Sequence, residues 1–227
     1  IHKGLGNSNK ILFEILNEII NHFKISICSI NGGGLRNAIP RESSTVISFS
    51  KDNINLFEQI IKKSLQKYKT KFQGTDSNLN LEFQILNDKI KQLNNKESVE
   101  LIDAINNCPN GVFEMSKSID GLVETSNNLA NIKLIEGELK IMCLTRSSSE
   151  DSKAKLSKVI SNIFEDNRYA FLPYIPDYKI VNDPAFAQVK FNLRNKQSII
   201  VTRGHMMTVD SHVDITTDTK GGLFKGY

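Results

Sequence analysis

Residues 1–42 read IHKGLGNSNKILFEILNEIINHFKISICSINGGGLRNAIPRE, and the organisation of the whole chain follows from them. Ile11, Leu12, Ile15, Leu16, Ile19, Ile20 and Phe23 recur at helical spacing, which places them on one stripe of an amphipathic helix built for burial. Asn7 and Ser8 stand just ahead of it, and either side chain can cap the free N–H groups of the first turn. Ile25, Ile27 and Cys28 open a strand that breaks at Asn31-Gly32-Gly33-Gly34. The glycines read as a flexible hairpin turn and not as a phosphate loop, which needs a Lys-Ser/Thr ending and a following helix. Behind them comes Leu35-Arg36-Asn37-Ala38-Ile39-Pro40-Arg41-Glu42, a polar run for which packing offers no reason. A core helix fits many folds, but an ordered string of this kind does not.

Outward from this stretch, Val46, Ile47 and Phe49 sit in an alternating Ser/Thr-rich run that reads as the returning strand. Asp52 and Asn53 are placed to cap a helix with Ile54, Phe57, Ile60, Ile61, Leu65 and Tyr68 on one side. Residues 74–78 are a polar loop. Leu79, Leu81, Phe83 and Ile85 then alternate with Asn80, Glu82 and Gln84 as a half-buried strand. The order helix, strand, strand, helix, strand appears again downstream. A helix over 98–106 stops at Pro109-Asn110-Gly111, and a hairpin joins 123–134 to 139–146 across Glu136-Gly137. Capping signals at 147–151 open a helix with Leu156, Val159, Ile160, Ile163 and Phe164, and a short strand at 169–172 closes the unit. The expected class is α+β: two α-β-β-α-β units, residues 1–90 and 91–184, forming antiparallel sheets with helices on one face. Residues 185–227 form a tail in which 189–193 and 198–202 are expected to pair across 194–197, and 204–227 has little to bury.

Composition narrows the function classes. The 227 residues are 39% hydrophobic and 24% charged, enough for a real core and ordinary for a soluble protein. The net charge of +4 comes from Lys residues interleaved with Glu and Asp, so no basic stripe points to nucleic acid. No strand carries the aromatic-basic pattern on which RNA-binding sheets stack bases. No apolar run approaches a membrane span, and no signal peptide precedes Ile1. Cys28, Cys108 and Cys143 are an odd, scattered set; Cys28 and Cys143 lie in strand-like runs as small buried hydrophobes, which favours a reducing cytoplasm. The chain begins at Ile, so the native start is expected further upstream.

The ordered string is also where a family resemblance lies. His2, Gly4-Leu5-Gly6-Asn7, Asn31-Gly32-Gly33 and the run Leu35 to Glu42 closely resemble the aminoacyl-histidine dipeptidases, carnosinase-type di-zinc exopeptidases. Further pieces follow in the right order: Asn107, Pro109-Asn110-Gly111-Val112, Val123-Glu124-Thr125-Ser126, Cys143-Leu144 and Arg146-Ser147. The likeness spans residues 1–176 and covers that family's inserted lid domain alone; the catalytic domain that flanks the lid is not matched. It implies a doubled ferredoxin-like lid, which imitates the sheet-to-sheet dimer that smaller relatives build from two chains. It also implies hydrolysis of Xaa-His dipeptides over a di-zinc site in the intact cytosolic enzyme. Zinc is expected there, and none on this chain.

The same resemblance implies site residues. Asn37 and Arg146 match a lid asparagine and a lid arginine that reach over the active site to hold the substrate's carbonyl and terminal carboxylate. The chemistry suits them, because an amide can donate to a developing oxyanion and a guanidinium grips a carboxylate with two parallel hydrogen bonds. The plainer reading is that Asn37 tightens a turn before Pro40 and Arg146 is a surface cation at a strand end. Glu124 is expected to orient polar groups near the substrate, or else to be a solvated strand residue. His2 is expected to neighbour the family's lid histidine segment. The tail holds one metal-like set, His205, Asp210, His212 and Asp214, whose Asp-x-His-x-Asp part falls on one face of a strand. Three readings follow. The chain is the lid of a dipeptidase, inactive alone and partnered by a catalytic domain and a dipeptide substrate. Alternatively it is a non-catalytic dimerisation or docking module, or an independent metallohydrolase built on the tail set.

Overall fold

The computed structural model describes residues 4–86 and 90–166, together with the backbone of five short strands beyond them. The chain divides into two compact units, Ile1–Ala170 and Phe171–Tyr227.

In the first unit, α1 (Ser8–Ile20) forms as its apolar spacing requires, and it buries Phe13, Ile15, Leu16 and Ile19. Each of these side chains is worth about 1.5–3 kcal/mol once removed from water. Asn7 caps it by accepting a hydrogen bond from the Lys10 N–H at 3.2 Å. Strands β1 (Ser26–Gly32) and β2 (Ser43–Ser48) pair antiparallel with an irregularity between Ile27 and Ser29. At that irregularity the Ile27 N–H donates to the Ser98 hydroxyl at 3.0 Å. Helix α2 (Ile54–Lys71) is entered through a 3-10 turn at Lys51–Asn53. Ser50 caps that turn, and Asn53 makes no side-chain cap, contrary to expectation, because the extra turn moves the free N–H groups one step upstream.

Residues 79–86 are not the expected strand. Leu79 and Leu81 pack against the core and Phe83 sets its edge on the ring of Phe57 at 5.2 Å, so the alternation serves helix packing without a neighbouring strand. Helix α3 (Asn95–Asn107) starts with a complete capping box, Asn94 accepting from the Glu97 N–H and Glu97 from the Asn94 N–H. A strand that the sequence did not announce follows, β3 (Gly111–Met115). Then come β4 (Val123–Ile135) and β5 (Glu138–Ser147), joined by Glu136 and Gly137, both at positive φ as a two-residue hairpin turn demands. Helix α4 (Glu150–Asp166) buries Leu156, Ile160 and Phe164.

The class is α+β with antiparallel strands, as expected. The strands of the two sequence units meet in one five-stranded sheet, ordered β2-β1-β4-β3 with β5 also on β4. Helix α1 packs on α2, α3 and β4, and α4 packs on β5, so the core lies between helices and sheet around Phe13, Ile30, Leu101, Ile105, Leu129 and Ile132.

In the second unit, β6 (Asp177–Val181) pairs with β7 (Gln188–Asn192). There, too, β8 (Ser198–Ile200) and β9 (Val213–Asp218) flank β10 (Gly221–Gly226). The expected hairpin across 194–197 is therefore absent among the described residues, since each of its arms has another partner. The strand expected at 169–172 lies outside the described residues.

Candidate functional site at a notch in the sheet

Strand β4 is paired along one edge by β5, from Thr125 to Ile135. Its other edge is shared: β3 covers Val123 to Asn127 and β1 covers Ile132 to Leu134. Among the described residues no strand lies opposite residues 128–131 on that edge. Buried backbone groups must still find partners, and asparagine side chains supply them. The Leu129 N–H donates to Asn110 Oδ1 at 3.0 Å. The Leu129 carbonyl accepts from Asn7 Nδ2 at 3.1 Å and from Asn9 Nδ2 at 3.3 Å. Asn7 Nδ2 also reaches Asn110 Oδ1 at 3.0 Å and Asn128 Oδ1 at 3.2 Å, closing a network over the gap. Asn131 donates to the Gly32 and Gly33 carbonyls at 3.1 and 2.9 Å. Asn127 turns the other way, giving to the Pro109 carbonyl at 2.6 Å and accepting from Thr145 at 3.0 Å.

The glycine run serves this notch by close approach. Gly33 has φ +72°, and a Cβ there would sit 2.0 Å from the Ala130 carbonyl oxygen, so only glycine lets the loop lie against β4. The following polar run has packing reasons that its sequence conceals. Asn128 Nδ2 donates to the Ala38 carbonyl at 2.7 Å and approaches that of Arg36 at 3.4 Å, clamping the turn from both sides of Asn37. Pro40 is buried, and its carbonyl accepts from the Ser8 N–H at 3.1 Å. Arg41 pairs with buried Asp76 and donates to the Gly6 carbonyl at 3.1 Å, while the Gly6 N–H donates to Asp76 at 2.7 Å. Burial pushes the Asp76 carboxyl up, but the hydrogen bond from Arg41, the Gly6 N–H and the Arg41 charge outweigh it and hold it below its ordinary value. Asn37 itself stays exposed, its side chain unused by this scaffold.

Arg146 is exposed on β5 opposite Ser126, and Leu144 stands opposite Asn128. Directly opposed residues share a sheet face, as do positions two apart along a strand. Arg146, Ser126 and Asn128 therefore point to one side, with the Asn37 turn clamped on Asn128 about 7 Å along the strand from Ser126. The Arg146 guanidinium forms no salt bridge among the described residues. Glu124 is half-buried near the start of β4, two positions before Ser126, and its carboxyl lies within hydrogen-bonding reach of Glu114.

His2, His205, Asp210 and His212 lie outside the described residues, and Asp214 is described only as backbone of β9. Among the described residues no three His, Cys, Asp or Glu gather closely enough to hold a metal ion. A hollow of about 510 Å³ lies elsewhere, lined by Ile11, Leu12, Tyr68, Arg41, Asp76 and Leu79 among others. The Arg41–Asp76 pair on its lining is already satisfied by its own neighbours. The residues that sequence reasoning missed are Asn110, Asn128 and Asn131. A signal existed, because asparagine is disfavoured in strands and three of them fall within five residues of β4.

The fold and the comparisons agree on one likeness: the chain is similar to a peptidase dimerisation domain of dipeptidases. Residues 1–75 match the family described as the peptidase dimerisation domain. The chain is 31% identical over 164 residues to the cytosol non-specific dipeptidase of Escherichia coli (strain K12), a match covering 72% of this chain and 34% of that protein. Among solved structures, the aminoacylhistidine dipeptidase from Vibrio alginolyticus matches with a TM-score of 0.69 at 25% identity, over 85% of this chain and 36% of that one. The chain thus spans about a third of the length of these relatives, and the resemblance to one domain of an aminoacyl-histidine dipeptidase holds.

Proposed function

We propose that this chain is the lid of a cytoplasmic Xaa-His dipeptidase, and that Asn37 and Arg146 hold the substrate over a di-zinc centre supplied by a catalytic domain. The observation that carries the reading is the clamp of Asn128 on the Arg36–Ala38 turn, on the sheet face that also bears Arg146. A rigid turn offers an amide at little entropic cost, and a guanidinium in no salt bridge among the described residues is ready for a terminal carboxylate. The described residues do not fit zinc, so hydrolysis is assigned to the catalytic domain and these side chains only bind and orient. Glu124, turned toward Glu114, is the weaker member of the set.

The test uses the complete peptidase that carries this chain. Arg146→Ala should raise KM about 10- to 100-fold, the worth of a charged hydrogen-bonded pair, for dipeptides with a free carboxylate. The same change should leave KM for C-terminally amidated dipeptides unaltered. Asn37→Ala should lower kcat by about 100-fold or more if its amide meets the oxyanion. An equal effect of Arg146→Ala on both substrate types would refute the carboxylate role. The chain alone should not hydrolyse β-alanyl-histidine; chelator-sensitive hydrolysis by it would overturn the proposal.

A second reading, a dimerisation or docking module, is favoured by a different observation. Val112, Phe113, Met115, Ile119 and Leu122 are exposed on and beside β3, which ends the sheet path. Sedimentation separates the two: a lid that satisfies its own edges stays monomeric, whereas a docking module self-associates or binds the separately prepared catalytic domain.

A further inference from the structure

Cys108 and Cys143 stand 35 positions apart in sequence, yet their sulfurs lie 3.8 Å apart in van der Waals contact. Both are free thiols, Cys108 fully buried and Cys143 half-buried. The third cysteine is no part of this: Cys28 Sγ meets the Ser26 carbonyl instead, at 3.9 Å. Lys10 supplies a charge beside the pair. Its ammonium donates to the carbonyls of Ile105, Asn106 and Cys108 at 2.9, 2.7 and 3.1 Å, closing the C-terminus of α3 under the two sulfurs. The two thiols are unequal. The contact with Cys108 pulls Cys143 below its ordinary value, with Asn127 and Lys10 acting in the same direction against the effect of burial, while the contact with Cys143 and burial push Cys108 up. Cys143 is therefore the more readily ionised thiol of the pair.

We propose that Cys108 and Cys143 form an oxidative modification site, at which a peroxide converts two touching thiols into a reversible disulfide joining the end of α3 to β5. In the first step the Cys143 thiol gives up its proton and its sulfur attacks one peroxide oxygen, the O–O bond breaks, and the leaving hydroxide takes that proton to become water. Cys143 is then a sulfenic acid. In the second step the Cys108 sulfur attacks the Cys143 sulfur, the S–O bond breaks, and the hydroxyl leaves as water with the Cys108 proton. Two thiols lose two electrons and the peroxide is reduced to two waters. The sulfurs need to close from contact to bond length, about 2.05 Å, which side-chain rotation and a small shift of the α3 end can supply. The link bears on the site, because Pro109 and Asn110 follow Cys108 directly and Arg146 lies three residues beyond Cys143. Oxidation would fix the notch to the strand that carries the guanidinium.

The test treats the reduced chain with hydrogen peroxide, alkylates remaining thiols and maps peptides without reduction. The expected result is one cross-linked peptide pair containing Cys108 and Cys143, with Cys28 alkylated, and full reversal by dithiothreitol. The oxidised chain should also unfold at a higher denaturant midpoint, since a link across 35 positions restricts the unfolded ensemble. Cys28→Ser should keep the cross-link and Cys143→Ser should lose it. Cys143 advancing to sulfinic acid while Cys108 stays alkylatable, or links that involve Cys28, would overturn the proposal. So would two alkylatable thiols after prolonged peroxide.

Discussion

Gly33 and Asn128 constrain the same place in opposite ways, one by having no side chain and the other by the reach of its amide. Gly33→Ala puts a methyl 2.0 Å from the Ala130 carbonyl at a positive φ. A loss of about 2–4 kcal/mol is expected, read as a lowered urea midpoint with an unchanged unfolding slope. Asn128→Ala leaves the Ala38 carbonyl short of a partner while the Asn7 amide keeps Asn110 and Leu129, a cost of about 1–3 kcal/mol. The same change should speed amide exchange around residues 35–38, an effect that simple core loosening would spread over the whole sheet. Asp76 gives a pH prediction. Its folded value lies below the ordinary 3.8, so its stabilisation is complete above that pH and disappears as pH falls through the folded value. Asp76→Asn should therefore flatten the acid limb of stability against pH and leave the shape near neutrality unaltered.

Helices α1, α2 and α4 and the β4–β5 hairpin could be read from spacing and turn residues, because a helix and a two-residue turn are decided by neighbours in sequence. A strand is decided by its partner. Residues 79–85 alternate as a strand should, but nothing lies beside them to pair, and the apolar set was spent on Phe57 and the core. Strand β3 is the converse case: Val112 to Met115 are exposed and carry no inward pattern, and β4 makes them a strand. Asn37 and Arg146 were legible only through motif likeness, and the asparagines that position the turn were not read at all, since a polar residue in a strand pattern looks like a solvent-facing one. The capping box of α3 offers a local test. Asn94→Ala removes the side-chain acceptor of the Glu97 N–H and should cost about 1 kcal/mol, measured by thermal or chemical denaturation. Glu97→Ala removes the other bond, from the Asn94 N–H, and leaves the Asn94 cap on the Glu97 N–H in place.

The five strands assemble from both halves of the first unit, and the α1–α3 contact ties those halves a second time. Residues 1–75 should therefore not fold as an excised piece: Phe13, Ile15 and Leu16 would lose α3 and β4 together. Far-UV circular dichroism and exchange of that fragment would check this, and a cooperative, protected fragment would contradict it. The notch has a further effect on biogenesis. Its backbone is served by Asn7, Asn9 and Asn110, which leave the ribosome well before Leu129, and the Gly33 loop likewise has to wait for Ala130. An emerging nascent polypeptide thus keeps these amides paired with water until the central strand is synthesised, and its productive collapse is expected late in translation.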